Sequence, residues 1–197
     1  MYLPLKIYNK FLVPFQGCPA TCLASICIFP EGEEQWEKEL SLLSDELDIY
    51  LAAAYVVPVS ENPFLYENKY ILFDSEGLTR QTYFKHHPVP GEPAVKGTGP
   101  IDVVESDFGR LIGAICYDYD FPEIGRKHGR LKSDIIFVPS SDWRGIDPIH
   151  TEMVKLRAIE GGHSVLRSAR WGLSAGIDSY GRIRDGSVIL TAAIRSC

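Results

Sequence analysis

The sequence predicts an α/β fold in which β-sheets pack together and helices cover their outer faces. Three observations support this fold class. Short apolar runs, typical of strands buried on both faces, alternate with segments of helical periodicity. Shorter strands joined by turn residues interrupt the alternation and indicate β-hairpins. Apolar strands and amphipathic helices must bury their apolar surfaces against one another, so a layered arrangement is expected.

The first half of the chain predicts a βαβ unit followed by a hairpin. The first apolar run ends at Pro30, and Trp36, Leu40 and Leu43 then recur at helical spacing. Because a strand, a helix and a second strand follow one another, the two strands are expected to be parallel neighbours. The predicted elements are strand 23–29, helix 33–48, strand 49–57 and a hairpin of 70–73 and 78–85.

The second half begins with a loop, HHPVPGEPAVKGTGP, whose length is typical of functional or disordered segments. A second hairpin then ends at Cys116, and the alternation of strands and helices resumes. Pro122 is suited to the first turn of a helix, and Gly161 with Gly162 predicts a helix stop. The predicted elements are strands 101–105 and 110–116, helix 121–132, strand 134–139, helix 148–161, and strands 163–169, 173–178 and 187–194.

Composition narrows the classes of function. The 197 residues suit one domain spanning 1–197, and the formal charge of −6 argues against nucleic acid as a partner. No stretch approaches the ~20 apolar residues of a membrane span, and no secretory signal is visible. Five cysteines form no disulfide framework, which favours a reducing, cytoplasmic setting. Cys18 and Cys22 lack a second ligand pair at suitable spacing, so neither a metal nor another cofactor is expected.

Cys116 is the leading candidate for a reactive group. It follows the apolar run of residues 111–115 and precedes a helix, at the edge where open α/β sheets hold ligands. Backbone N–H groups after it would face a developing negative charge, which suits a nucleophile. The alternative is a buried cysteine that acts only as a small apolar residue.

Two further polar residues also follow apolar strands: Glu31 in IFPEG and Lys85 in TYFKHHPVPGE. Strand ends gather along one edge of a parallel sheet, so both could meet Cys116 in one pocket. A carboxylate could take the thiol proton, and an ammonium could hold the thiolate and the oxyanion. Alternatively, Glu31 is an acid in the first turn of a helix, and Lys85 lies on the surface.

These segments, with SSDW, HTEMVKLRAIEGG and GLSAGIDSYGR, resemble the nitrilase, or carbon–nitrogen hydrolase, superfamily. The later segments also resemble the catalytic domain of apolipoprotein N-acyltransferases. The resemblance runs from about Ile26 to about Ile194 and leaves residues 1–17 unmatched. It implies an α-β-β-α sandwich that forms a homodimer. It also implies roles in catalysis: general base Glu31, oxyanion stabiliser Lys85, nucleophile Cys116, orienting carboxylate Glu92 and oxyanion-hole N–H of Tyr117.

Other residues near these motifs are expected to serve the pocket or the fold. Trp143, with Asp142 and His87, is expected to line the substrate pocket rather than the core. Asp118 and Asp120 could simply stabilise the helix that follows them. Arg157 and Glu160, three apart on a helix, are expected to form a structural pair. His150-Thr151-Glu152 mimics a zinc-deaminase motif but lacks its downstream cysteines, so we reject that function.

Three functions remain open. The first is an amidase acting on a small amide, with an acyl-thioester on Cys116. The second is an acyltransferase that passes the acyl group to an amine. The third is an inactive scaffold, since the match lacks edge strands at both ends and unpaired edges weaken a sheet.

Overall fold

The computed structural model describes residues 20–143 and 145–188. Two sheets are stacked, and each carries helices on its outer face, so the predicted α-β-β-α sandwich is confirmed. No helix in these ranges is long and apolar enough to cross a bilayer. The helices are α1 (Pro30–Leu47), α2 (Pro122–Arg130) and α3 (Ile149–Gly161).

The first sheet has the strand order β1-β2-β3-β4, with β5 paired to β3. The predicted parallel pairing of β1 with β2 is confirmed, while β3 is antiparallel to both β2 and β4. The carboxyl ends of β1 and β4 therefore lie at the same edge. The strands are β1 (Ala20–Cys27), β2 (Tyr50–Glu61), β3 (Phe64–Phe73), β4 (Thr79–Phe84) and β5 (Ala94–Val95).

The second sheet has the order β11-β10-β9-β8-β7-β6, with β7, β8 and β9 parallel. Their carboxyl ends carry Cys116, Asp142 and Trp171 to one edge. The strands are β6 (Val104–Ser106), β7 (Gly109–Gly113), β8 (Ile135–Ser141), β9 (Ser164–Arg170), β10 (Leu173–Ile177) and β11 (Ile183–Val188).

Close approach of the two sheets depends on small residues. Ser168 Oγ on β9 donates to Cys22 Sγ on β1 at 3.3 Å, and β1 also packs on β8. At Gly113 an added Cβ would lie 2.3 Å from the Tyr70 ring, so the ring of one sheet needs a glycine in the other. Outside the sheets, α1 packs Trp36 and Leu40 on the first sheet, and α2 and α3 cover the second.

The predicted boundaries were wrong where polar residues or proline interrupt an element. The hairpin of β2 and β3 extends to Glu61 and Phe64, although Pro58 and the charges beyond it obscure the strand pattern. Strand β11 begins at Ile183 rather than at 187, and residues 189–194 of that prediction lie outside the described residues. The predicted helix stop is confirmed, because Gly162 caps α3 in the left-handed region with φ of 69°.

Candidate active site

Cys116 begins a tight turn rather than ending a strand. Strand β7 stops at Gly113, and residues Cys116–Asp120 form a short 3-10 helix, here called the Cys116 turn. Cys116 has φ of 49°, in the left-handed region that residues with a side chain rarely occupy. Strain of this kind concentrates at functional sites. The N–H of Tyr117 lies in the first turn of this helix, where N–H groups lack intrahelical acceptors.

Lys85 and Glu92 form a buried ion pair, with Lys85 Nζ 2.6 Å from Glu92 Oε2. Lys85 is 2% exposed, so the surface alternative was wrong. Glu92 Oε1 also accepts from Tyr66 Oη at 3.0 Å, and Oε2 accepts the N–H of Val89 at 2.6 Å. Burial opposes the charge of Glu92, but these bonds and the Lys85 ammonium outweigh it and lower the pKa of the carboxyl.

The thiol of Cys116 is also buried, with 6% of the residue exposed. Burial raises the pKa of Cys116 to about 11, although the charge of Lys85 and a hydrogen bond from the backbone of Ser141 act in the opposite direction. Asp142 adds to the rise. The resting group is therefore a thiol, and a base must take its proton before the sulfur can attack.

Asp118 is a structural link and not just a helix-terminal acid. It is fully buried and accepts from Tyr83 Oη at 2.8 Å and from the N–H of His87 at 2.6 Å. The N–H of Ile115 approaches the same carboxylate at 3.3 Å. Asp118 therefore links the Cys116 turn to the loop that follows Lys85.

A second carboxylate of the turn contacts α3. Asp120 Oδ1 lies 2.9 Å from His150 Nε2, and His150 Nδ1 lies 2.7 Å from Asp142 Oδ1. Asp142 also forms a fully buried ion pair with Arg167 of β9. The carboxylate of Asp142 is thereby satisfied by two side chains. Burial opposes its charge, but these partners lower the pKa of Asp142.

Glu31 is not brought into these contacts. It is exposed in the first turn of α1, and no hydrogen bond or ion pair joins it to Lys85 or Cys116 within the ranges described. This location matches the alternative of an acid at a helix N-terminus. It still follows β1 at the sheet edge that also carries Lys85.

The remaining predicted residues have mixed surroundings. Trp143 is 51% exposed, so it does not belong to the core. The His87 ring stacks on Phe121 at 4.0 Å and contacts Asp118 and Glu123, so part of its surface is already used within the protein.

The predicted pair of Arg157 and Glu160 is confirmed at 3.0 Å. The sequence pattern predicted no site role for His150 or Arg167, since neither residue directly follows an apolar strand as the other candidates do.

The thiol of Cys116 lies within a small cluster of polar side chains. Cys22 and Cys116 are free thiols, whereas Cys27 is disulfide-bonded. Sγ of Cys116, a ring nitrogen of His150 and a carboxylate oxygen of Asp142 lie within 4.8 Å of one another. His150 and Asp142 are already paired, as described above, so this cluster is a charge network around the thiol.

Two curated proteins are similar to this chain in sequence. The chain is 33% identical over 152 residues to an apolipoprotein N-acyltransferase of Brucella melitensis, covering 64% of this chain and 28% of that protein. It is 30% identical over 123 residues to a deaminated glutathione amidase of Dictyostelium discoideum, covering 56% of this chain and 42% of that protein. The chain therefore spans less than half the length of these two relatives.

Solved structures share the fold. An amidase mutant from Nesterenkonia sp. AN1, with the acetamide moiety of fluoroacetamide added covalently at its active-site cysteine, matches with a TM-score of 0.71 and 19% identity. That match covers 80% of this chain and 64% of the other. A further structure of an amidase from Nesterenkonia sp. matches with a TM-score of 0.69 and 18% identity over 95% of this chain and 68% of the other.

The family assignment comes from the sequence match over most of the chain. The family model described as carbon-nitrogen hydrolase matches residues 11–187. That range includes the strand ends that carry Glu31, Lys85 and Cys116, and both stacked sheets. The chain belongs to the carbon-nitrogen hydrolase family.

Proposed function

We propose that this protein is a thiol-dependent hydrolase that cleaves the carbon–nitrogen bond of a small, non-peptide amide. The observation that carries the proposal is the position of Cys116 on a left-handed turn, where burial raises the pKa of the thiol and the charge of Lys85 opposes that rise. A buried thiol with a nearby ammonium suits nucleophilic attack on a carbonyl. The family membership and the amidase neighbours support the reaction class.

The proposed reaction passes through an acyl-thioester. A carboxylate base takes the proton of Cys116, and the sulfur attacks the amide carbon. The Lys85 ammonium and the Tyr117 N–H stabilise the oxyanion, and loss of one such donor typically lowers the rate by about 10²–10³. The carbon–nitrogen bond then breaks, and the amine or ammonia leaves with a proton. Water attacks the thioester, which releases the acid and restores the thiol.

Glu31 is our proposed base, as the family resemblance implies, and Glu92 is proposed to orient Lys85. The lowered pKa of Glu92 makes it a weak base, and its bonds hold it on the lysine. Glu31 is exposed and follows β1 at the edge that carries Lys85, so it is free to meet a substrate there. Trp143, half exposed after β8, is proposed to line the mouth of the pocket with Asp142 and His87.

The test is turnover of short aliphatic amides, measured as release of ammonia. We expect activity in the wild type and none in Cys116→Ala. The matched control is Cys22→Ala, because Cys22 is the other buried free thiol of the described residues and contacts Ser168 between the sheets. Turnover that survives Cys116→Ala would overturn the proposal.

Acyl transfer to an amine is the second candidate, favoured by the match to apolipoprotein N-acyltransferase. Both reactions share the thioester and differ in what attacks it. Product analysis with a primary amine present separates them, since a hydrolase yields the acid in excess and a transferase yields the new amide. A fold that is intact but has an unreactive Cys116 would instead support the scaffold hypothesis.

Two further parts of the proposal concern assembly and location. One face of α3 exposes Ile149, Leu156 and Ile159, with 64%, 48% and 52% of each residue accessible. We propose that this face pairs two copies of the chain, because adjacent apolar side chains are costly to leave in water. Light scattering of wild type and Leu156→Glu tests the dimer. The proposed cytoplasmic location is tested by cell fractionation.

A further inference from the structure

His150 occupies a position that the proposed chemistry does not use. It lies in the first turn of α3, is 3% exposed, and has a carboxylate on each side of its ring. Nδ1 lies 2.7 Å from Asp142 Oδ1, and Nε2 lies 2.9 Å from Asp120 Oδ1. The ring therefore bridges two acids that come from different elements.

The two acids belong to the two backbone segments that hold the thiol. Asp120 is the last residue of the Cys116 turn. Asp142 follows Ser141, whose backbone hydrogen-bonds the sulfur of Cys116. We propose that His150 is a positioning residue, which fixes the Cys116 turn against the end of β8 and so keeps the thiol on the Ser141 backbone donor. This inference rests on the proposed function, because a thiol that acts as a nucleophile has to be held in position.

The charge around the ring is balanced. Asp120 faces it from the Cys116 turn, Asp142 from the end of β8, and Arg167 from β9, with Arg167 Nη2 3.5 Å from His150 Nδ1. The Cys116 sulfur lies within 4.8 Å of a His150 ring nitrogen. Burial opposes a charge on the ring, but the two carboxylates outweigh it and raise the pKa of His150 to about 9.

Protonation is what makes the bridge complete. An imidazolium carries an N–H on both nitrogens, whereas neutral imidazole carries only one. At neutral pH the charged ring hydrogen-bonds Asp142 through Nδ1 and attracts Asp120 as an ion pair at 2.9 Å, and deprotonation would remove that attraction. The same charge prevents His150 from acting as the base of a cysteine–histidine pair, since neither nitrogen has a free lone pair. Its role is therefore in holding the turn and not in proton transfer to the thiol.

The test is the pH dependence of Cys116 alkylation by iodoacetamide, followed at that residue by peptide mass spectrometry. In His150→Gln the thiol should lose the Ser141 donor, which lowers its pKa. We expect the alkylation rate at pH 8 to fall about tenfold, because a rise of one unit in a thiol pKa lowers the thiolate fraction tenfold. Glu152→Gln is the matched control, as it removes an exposed ion pair with Lys155 from the same helix. The control should alkylate like the wild type.

Asp120→Asn separates positioning from simple electrostatics. Removing a negative charge near a thiol lowers its pKa and would speed alkylation. Loss of the bridge should slow it, and the double variant His150→Gln/Asp120→Asn should be no slower than His150→Gln alone. Since Asp120 is at the more exposed end of the bridge, with 21% of its side chain accessible, this variant also provides a test if His150→Gln does not fold.

Alkylation does not depend on amide turnover, so the two proposals fail in different ways. If the wild type shows no amidase activity but His150→Gln still slows alkylation, the proposed function is wrong and the bridge stands. If the wild type is active but His150→Gln keeps the wild-type alkylation profile and kcat, or Asp120→Asn speeds alkylation, the positioning role is overturned. Reduced kcat with unchanged KM in His150→Gln would support it.

Discussion

The carboxylate of Asp118 accepts the backbone N–H of His87 at 2.6 Å, and this bond joins the loop after β4 to the turn that carries Cys116. The two partners come from different sheets. Lys85 and Cys116 are therefore positioned by a direct link across the sandwich as well as by the packing of the sheets. The Asp118 link and the His150 bridge both contact the Cys116 turn.

Asp118→Asn should weaken both the fold and the reaction. An amide keeps one acceptor but presents an NH₂ group toward Tyr83 Oη and the N–H of Ile115, which leaves buried donors unsatisfied. We expect a loss of about 1–3 kcal/mol in the free energy of unfolding. Urea denaturation measures it, with Asp107→Asn in an exposed turn as the control. An Asp118→Asn protein as stable as the control would contradict the linking role.

The Lys85–Glu92 pair predicts a stability change in acid. The folded-state pKa of Glu92 is lowered, so its contribution is fully present above the unfolded value of about 4.3 and is lost as pH falls through the folded pKa. Glu92→Gln should therefore cost stability at pH 7 and less at pH 3. Thermal unfolding of both proteins across this range measures the difference. A difference that stays constant or grows in acid would contradict the ionised pair.

The thiol of Cys116 should lose its proton only at high pH. Because burial raises its pKa to about 11, its alkylation rate should keep rising above pH 9, whereas an ordinary cysteine levels off near its pKa of about 8.5. Lys85→Met should slow the reaction further, since the ammonium lowers the thiol pKa. Peptide mass spectrometry distinguishes this thiol from Cys22. A plateau near pH 8 would show that the sulfur is better solvated than the structure indicates.

Comparison of Glu31→Gln with Glu92→Gln tests which carboxylate is the base. We expect Glu31→Gln to lower kcat by about 10²–10⁴ without changing stability, since it is an exposed side chain. Glu92→Gln should affect both. The acidic limb of the kcat/KM profile should disappear only in the base variant. If Glu31→Gln retains full activity, the base must be sought among the buried acids, with Glu92 first.

The sequence predicted the layers well because each depends on local periodicity. The stripe of Trp36 and Leu40 and the stop at Gly162 read directly as α1 and the end of α3. The Lys85–Glu92 contact came from a family resemblance and not from spacing. The contact forms because the loop after β4 folds back and β5 pairs with β3. No residue pattern in that loop predicts this pairing.

The links around Cys116 could not be predicted for a related reason. Asp118, Asp120 and His150 are near other polar residues in sequence, and their pairings depend on how two sheets and α3 meet in space. The left-handed φ of Cys116 also has no marker, since such positions usually carry glycine. The requirement for glycine at position 113 was likewise not predictable, because it comes from the Tyr70 ring of the other sheet.

The role of Cys116 as nucleophile is tested by the mass of the intact protein, quenched in acid during turnover of a slow amide substrate. We predict a population heavier by the acyl group, with the acyl group mapped to Cys116 and absent from Cys116→Ala. It should form more slowly in Glu31→Gln, because that carboxylate is the proposed base for the thiol proton. Turnover of the amide without any acyl adduct on Cys116, under conditions that trap a thioester in a known thiol hydrolase, would show that Cys116 is not the nucleophile.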